Sequence, residues 1–211
     1  MRRRRSTGQS LAEFAIVLPV FRLVLSAIIQ FGLIFWGQNT LNQLLTVSRL
    51  EAGTLRPQID VFALAPLIQR AWESLGPGER PFQVRDDAPR LLAAADRDWI
   101  EQVVWALLDN AVRYGQGQVE VHIVQADHEL ATTIRDQGPG IQPQDRERVF
   151  ERFARLDPQA SEGTGLGLPV ARGLVETMGG RLWLADPGEG SPRHPGASFV
   201  FTLPAEPIEE P

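Results

Sequence analysis

The sequence predicts an α+β fold: a two-layer sandwich whose single mixed sheet carries its helices on one face, preceded by an N-terminal apolar helix. Three observations predict it. Val119, Val121 and Ile123 alternate with polar neighbours, as a half-buried strand requires. Ile100, Val103, Val104, Leu107 and Ala111 repeat at the 3.6-residue period of a helix lying on a core. Strand and helix patterns follow one another without the strict alternation of a parallel sheet. With 211 residues, the chain suits one domain of about 150 residues plus an appendage.

Composition removes several chemistries. All 21 basic residues are arginine, so neither a P-loop lysine nor a lysine Schiff base is available. Cysteine is absent, which excludes disulfides and thiolate metal sites. The histidines, His122, His128 and His194, are too few for a histidine-rich metal site. The net charge of −5 is unevenly divided, with +4 on residues 1–40 and −9 on residues 41–211. An acidic body repels a phosphate backbone, so nucleic acid is not an expected partner.

Taken in order, Arg2 to Arg5 precede an apolar run, Phe14 to Trp36, in which Arg22 is the one charge. As a helix this run spans roughly 35 Å, the thickness of a bilayer core. Inserting one central arginine costs about 3 kcal/mol, whereas each Leu, Ile, Val or Phe returns roughly 0.3–0.6 kcal/mol, so membrane insertion is favoured. A signal-peptide core and a buried soluble helix are the alternatives, although the run exceeds the roughly 7–15 residues of a signal core. The leucines and valine from Leu41 to Leu55 predict an amphipathic linker helix, ended near Gly53 and stopped before Pro57.

The body begins at residue 58. Ile59–Phe62 reads as a strand, Pro66–Leu75 as a helix, Gly76-Pro77-Gly78 as a turn, and Phe82–Arg85 and Leu91–Ala94 as short strands. Asp96 is placed to cap a helix that runs to Tyr114, where Gly115 and Gly117 end it. Strands at Gln118–Gln125 and Leu130–Arg135 form a hairpin turning at Ala126-Asp127. A helix from Leu168 to Met178 ends at Gly179-Gly180 and is followed by strands at Arg181–Leu184 and Ser198–Leu203. The proline- and glutamate-rich tail from Pro204 to Pro211 is expected to be disordered.

Three separated pieces carry chemistry. Asn110, Arg113 and Tyr114, spaced i, i+3 and i+4, share one helix face. At a strand end, Asp136-Gln137-Gly138-Pro139-Gly140 sets a carboxylate beside glycines that let the backbone turn closely around a flat ligand. Gly163-Thr164-Gly165-Leu166-Gly167-Leu168 runs into a helix whose free N–H groups and dipole suit a phosphate. Each alone has a plain structural reading: a tight turn, a helix hydrogen bonder, a hairpin turn. Together they divide one task, with a carboxylate reading an adenine amino group, an amide oxygen on Mg²⁺, and a glycine-rich helix start on a phosphate tail.

From about Thr46 to Pro204 the sequence resembles the catalytic ATP-binding domain of sensor histidine kinases, in the gyrase, Hsp90, kinase and MutL superfamily with the Bergerat fold. The resemblance rests on Leu107 to Tyr114 as the N-box, Asp136 to Gly140 and Gly163 to Leu168 as glycine boxes, Val149-Phe150-Glu151-Arg152-Phe153 as the F-box, and Gly196 to Phe199 as a looser last glycine box. It implies ATP and Mg²⁺ as ligands, with Asn110 on the metal, Asp136 on adenine, and Arg113 and Tyr114 near the phosphates or adenine. Gly138, Gly140, Gly163, Thr164, Gly165, Leu166, Gly167 and Leu168 would cradle the nucleotide under a lid at residues 154–162. The implied activity is phosphoryl transfer to a histidine. Ser48 to Gly53 also resembles the end of the second helix of a kinase dimerisation domain.

Two departures qualify this. No phosphoacceptor is encoded, because His128-Glu129-Leu130 lacks the residues that follow such a histidine. The expectation is therefore transfer in trans, to a histidine-bearing kinase chain or onward to a response regulator. One turn before Asn110 stands Ala106, where hydrolytic relatives of the superfamily have a glutamate, so strong ATP hydrolysis is not expected.

Near the N-terminus, Gly8 to Phe14 resembles the leader of TadE-like pseudopilins, which implies processing after Gly8 and assembly through the apolar helix. Other readings remain open: a pilus-assembly membrane protein, a fusion with an inactive ATP-binding domain, or a relative of anti-sigma serine kinases. The expected location is the inner membrane, single-pass, with the ATP-binding body cytoplasmic. Arginines ahead of the helix pull the other way, since they favour an inside N-terminus.

Overall fold

The computed structural model describes residues 18–19, 21–26, 30, 45–46, 48–50, 52–156, 164–185 and 196–208. The chain divides into two units, Met1–Leu44 and Leu45–Pro211. In the first, the described residues are helical and exposed. Among the described residues no helix is long and apolar enough to cross a membrane. Most of the apolar run Phe14–Trp36, and all of the leader before it, lie outside the described residues.

The second unit carries, in chain order, β1 (Ile59–Phe62), α1 (Leu64–Leu75), β2 (Phe82–Asp86), β3 (Leu91–Asp96), α2 (Arg97–Tyr114), β4 (Val119–Ala126), β5 (Glu129–Arg135), α3 (Gly167–Thr177), β6 (Leu182–Leu184) and β7 (Ser198–Pro207). Two short 3-10 turns, Pro143–Asp145 and Arg148–Phe150, precede α3. The strands are ordered β1-β3-β7-β5-β4-β2, and β6 also pairs with β7. β2 and β4 are parallel and the other pairs antiparallel, which makes the sheet mixed as the sequence predicts.

Alternation along the strands builds the core. Register aligns Val121 with Ile134 and Ile134 with Phe199, then Ile123 with Thr132 and Thr132 with Phe201. These rows are buried, so every second residue faces the helices. The α2 stripe Ile100, Val103, Val104 and Leu107 is fully buried. Each such side chain contributes roughly 1.5–3 kcal/mol relative to exposure. Trp72 of α1 stacks on Phe82 of β2 with ring centroids 4.2 Å apart, tying the first helix to the sheet edge.

Helix ends follow their expected chemistry. Asp96 Oδ1 accepts from Trp99 N at 3.1 Å, and Oδ2 accepts from Gln58 N at 2.8 Å. Gly76, with φ 60, ends α1 in the left-handed region that glycine enters without a Cβ penalty. Thr54 N bonds Arg49 O at 3.2 Å around Gly53, where the linker helix was predicted to end. Bounds move slightly elsewhere: α1 starts at Leu64, with Pro66 in its first turn, and α3 spans Gly167–Thr177.

Two expectations are corrected. The hairpin turns at Asp127 and His128, one residue later than predicted, because Asp127 takes the left-handed conformation, φ 55, and Ala126 pairs with Glu129. The segment after Leu203 was expected to be disordered, yet β7 continues to Pro207. β3 presents an open edge there, pairing Leu91, Leu92 and Ala93 with Pro207, Glu206 and Ala205. Ile208 N then bonds Arg90 O at 2.9 Å. The ladder hydrogen bonds, absent from any reading of composition, outweigh the low hydrophobicity of this stretch.

Candidate functional site

The site is assembled on α2. At its C-terminal end the helix stops at Gly115, which lies against the Asp136 loop: a Cβ there would come within 2.5 Å of the Asp136 Cβ. Gly138 approaches from the other side, where a Cβ would stand 2.8 Å from the Gly115 Cα and 2.9 Å from the Tyr114 carbonyl oxygen. Gln137 N donates to Gln116 O at 3.0 Å. One turn before Asn110, the Cβ of Ala106 lies 3.8 Å from where a Cβ on Gly167 would sit, so the start of α3 abuts the same helix. Two of the predicted pieces therefore touch α2, which carries the third.

Asp136 is buried, 6 % exposed. Gly138 N donates to its Oδ1 at 2.7 Å and Ala197 N to the same oxygen at 3.4 Å. The main chain is tied as well, with Asp136 N donating to Ala197 O at 3.0 Å and Gly196 N to Gly138 O at 3.1 Å. Gly196 has φ 71, and a Cβ on it would run into the Asp136 carbonyl oxygen, so glycine is needed there. Burial pushes the Asp136 carboxyl above its ordinary value; the Gly138 and Ala197 N–H groups, then Arg80 and Arg135, pull the other way.

Asn110 is half-buried on α2, and Tyr114 is exposed. Arg113 is exposed near the C-terminal end of α2. Its Nε pairs with Asp109 Oδ2 at 2.7 Å, an i, i+4 bridge along the helix. Among the described residues, the N-cap residue Leu166 makes no side-chain hydrogen bond to the start of α3. Thr164 Oγ1 accepts from Leu166 N at 3.3 Å just ahead of it. Gly165, φ 67, allows its carbonyl to accept from Phe153 N at 2.9 Å, joining the two ends of the segment predicted as the lid. Gly163 and residues 157–162 of that segment lie outside the described residues. Gly140, φ 74, and Leu168 at the start of α3 complete the predicted set.

Among the described residues no cluster of three or more His, Asp or Glu side chains could hold a metal ion. The described residues therefore offer no all-protein metal cage, and Asn110 as a single oxygen donor would suit an ion otherwise coordinated by phosphates and water. A cleft of about 170 Å³ lies beside the site and not in it; Pro139, Ile141, Arg146 and Leu184 line it, and Gly196 and Ala197 form the shared wall. It is smaller than the roughly 300–1,000 Å³ of a pocket for a drug-sized ligand.

Sequence reasoning missed Arg80. Its guanidinium donates to four backbone carbonyls: Nη1 to Ala111 O at 2.8 Å and Val112 O at 2.9 Å, Nη2 to Gly115 O at 2.6 Å, and Nε to Gly117 O at 3.0 Å. Arg80 stands in a polar turn with no periodicity, and no signal in the chain separates it from the exposed arginines.

A buried acid at a strand end, glycines pressed against a helix terminus and a helix start beside the same helix define a nucleotide-binding α+β domain. Residues 95–207 match the family described as histidine kinase-, DNA gyrase B-, and HSP90-like ATPase, and the chain belongs to that family. Residues 8–46 match a second family, TadE-like protein.

Among curated relatives, the chain is 38 % identical over 156 residues to sensor protein KdpD of Mycobacterium tuberculosis, covering 70 % of this chain and 18 % of that one. It is 35 % identical over 175 residues to the signal transduction histidine-protein kinase/phosphatase MprB of Mycolicibacterium smegmatis, covering 80 % and 34 %. The chain thus spans about a fifth to a third of the length of these relatives. Of solved structures, the mycobacterial sensor histidine kinase MprB aligns with TM-score 0.63 and 30 % identity, over 72 % of this chain and all of that one. Full-length ShkA in complex with AMPPNP aligns with TM-score 0.69 and 25 % identity, over 80 % and 36 %.

Proposed function

We propose that the body binds Mg·ATP and transfers its γ-phosphoryl group to a histidine supplied by another chain, or serves a response regulator through such a chain. The observation that carries this is the meeting of Asp136, the Gly115 end of α2 and the start of α3 around one helix. In this reading Asp136 Oδ2 accepts the exocyclic amino group of adenine, since both bonds the carboxylate makes within the fold end on Oδ1. Gly138 and Gly140 let the main chain lie flat along the base. The Gly165–Leu168 backbone donates N–H groups to the phosphates at the positive end of α3. Asn110 would hold Mg²⁺, which would supply electrostatic stabilisation of the charge that develops on transfer.

The residues present supply position and electrostatics rather than covalent chemistry. Ala106 offers no carboxylate to activate water, which favours transfer over hydrolysis. No histidine in the chain stands in a phosphoacceptor context, so the accepting imidazole comes in trans. Titration of the full chain with an ATP analogue and Mg²⁺ tests the reading: micromolar to millimolar binding is expected, lost in Asp136→Asn. Binding that is absent in the wild type, or unchanged in that variant, removes it.

The match of residues 8–46 to TadE-like proteins supports membrane attachment of this chain through its N-terminal segment, and use of cytosolic ATP requires the body on the cytoplasmic side. Topology reporters after Thr40 and at the C-terminus check this; an external C-terminus excludes routine use of cytosolic ATP.

A further inference from the structure

We propose that Arg80 is a positioning residue of the nucleotide site: by gripping four carbonyl oxygens at the end of α2, it fixes the Gly115–Gly117 turn on which the Asp136 loop rests. This deepens the nucleotide reading and rests on it. An α-helix ends with carbonyls that lack intrahelical partners, and α2 ends where the site begins. Arg80 satisfies Val112, Gly115 and Gly117 at once, at 2.6 to 3.0 Å, and adds a second donor to Ala111 O, which already accepts from Gly115 N at 3.1 Å. Only a planar fork with several fixed donors spans such a set; a lysine ammonium is a single point.

The turn it holds meets the Asp136 loop at three successive residues. Gly115 is packed against the Asp136 side chain, Gln116 O takes the Gln137 N–H, and Gly117, φ 61, faces the Gln137 side chain. Gly138 closes on Gly115 and Tyr114 from the opposite side. If the 115–117 turn relaxes, the wall behind the Asp136 carboxylate moves with it. Arg80 is itself held, because the next residue, Pro81, accepts from Val119 N at 3.0 Å at the start of β4.

Charge reinforces the geometry. The groups acting on Asp136 are Arg80 from the turn before β2, Arg135 from β5, and the N–H groups of Gly138 and of Ala197 beside β7. Arg80 is the first of the two arginines in effect, after the two N–H groups, and its charge opposes part of the cost of burial.

The test compares wild type, Arg80→Met and Arg80→Lys as full chains. Three readouts are taken: the melting temperature, the titration of the Asp136 carboxyl carbon by NMR without nucleotide, and the affinity for a fluorescent ATP analogue with Mg²⁺ across the acid limb of that titration and up to neutral pH. Arg80→Met is expected to raise the Asp136 midpoint and to lose affinity more steeply toward the acid side. Arg80→Lys is expected to leave the midpoint nearer wild type yet lose affinity at both ends, because the fork is gone.

A lower melting temperature with an unchanged Asp136 titration and a parallel affinity profile overturns the proposal and leaves Arg80 a structural cap. Should Arg80→Met not fold, the midpoint and affinity of Arg80→Lys decide. Should the wild type fail to bind the analogue, the functional reading fails, and with it the role of Arg80 at a nucleotide site. The NMR titration then still shows separately whether Arg80 sets the state of Asp136.

Discussion

Burial takes the Asp136 carboxylate out of water, and two N–H groups on Oδ1 with two arginines nearby return part of the lost hydration. Its raised proton affinity in the fold gives a definite sign. A carboxyl that holds its proton more tightly when folded adds stability at acidic pH, and that contribution is lost as pH rises from about 3.8 through the folded value. Ligand binding runs the opposite way, because reading an amino group needs the ionised form: affinity falls as pH drops through the same folded value. Asp136→Asn keeps an oxygen for Gly138 and Ala197 while removing the charge. Its melting temperature without ligand is expected to rise, by about 2–4 °C per kcal/mol relieved, while binding disappears. A thermal melt with and without nucleotide reads both effects at once.

Phe153 shows a second local tension. It has φ 59, costing a non-glycine residue roughly 1–2 kcal/mol, and its ring is 64 % exposed, so packing returns little of that cost. Its N–H bond to Gly165 O and the close approach of Gly165 hold it there. Phe153→Gly is expected to melt at a higher temperature than wild type, and a lower melting point would show that the ring has a packing partner after all.

Among elements, β7 links parts of the sheet that the chain order separates. Its first seven residues pair with β5, and residues 205–207 pair with β3, which in turn carries β1. β3 ends at Asp96, the cap of α2, so the last turn of the strand network helps seat the helix that carries Asn110. Removing Ala205 to Pro211 deletes these pairs and the bonds from Ala205 N to His128 O and Ile208 N to Arg90 O. At about 1 kcal/mol per net hydrogen bond the loss is a few kcal/mol. The truncated chain is expected to melt several degrees lower, with faster amide exchange in β3 and β1. A melting curve superimposable on wild type would return this segment to the status of a tail. At the other end of the site, Arg172 of α3 lies 3.9 Å over the Phe150 ring, donates to Leu182 O at 3.0 Å and pairs with Glu147 at 3.0 Å. One side chain thereby joins α3, β6 and the turn that precedes the lid.

At the scale of the molecule, nucleotide binding and phosphoryl transfer separate in experiment. A ligand that binds the folded state alone stabilises it by RT ln(1 + [L]/Kd), about 2.7 kcal/mol at a hundred times Kd. The chain with Mg·AMPPNP is therefore expected to melt higher than without it. Incubation of the purified chain with labelled ATP is expected to give no labelled protein band until a histidine-bearing kinase chain is added. A band from the chain alone would show that one of His122, His128 and His194 accepts phosphate in spite of its surroundings.

The sequence by itself determined the helices, most strands and the three motif-bearing segments. These depend on local rules: a period of 3.6 or 2, Asp96 before a helix, Gly115 after it, glycines where the backbone must turn left-handed. It also placed Asn110, Asp136 and Gly165–Leu168 in one task before any geometry was known. Tertiary structure decided what depends on a partner distant in the chain. The strand order, the extension of β7 along β3, the bridge from Arg113 to Asp109 and the four-carbonyl grip of Arg80 belong to this group. Their physical reason is common to all four: a hydrogen bond or ion pair depends on which unsatisfied group folding brings within about 3 Å, and composition along the chain does not encode that proximity.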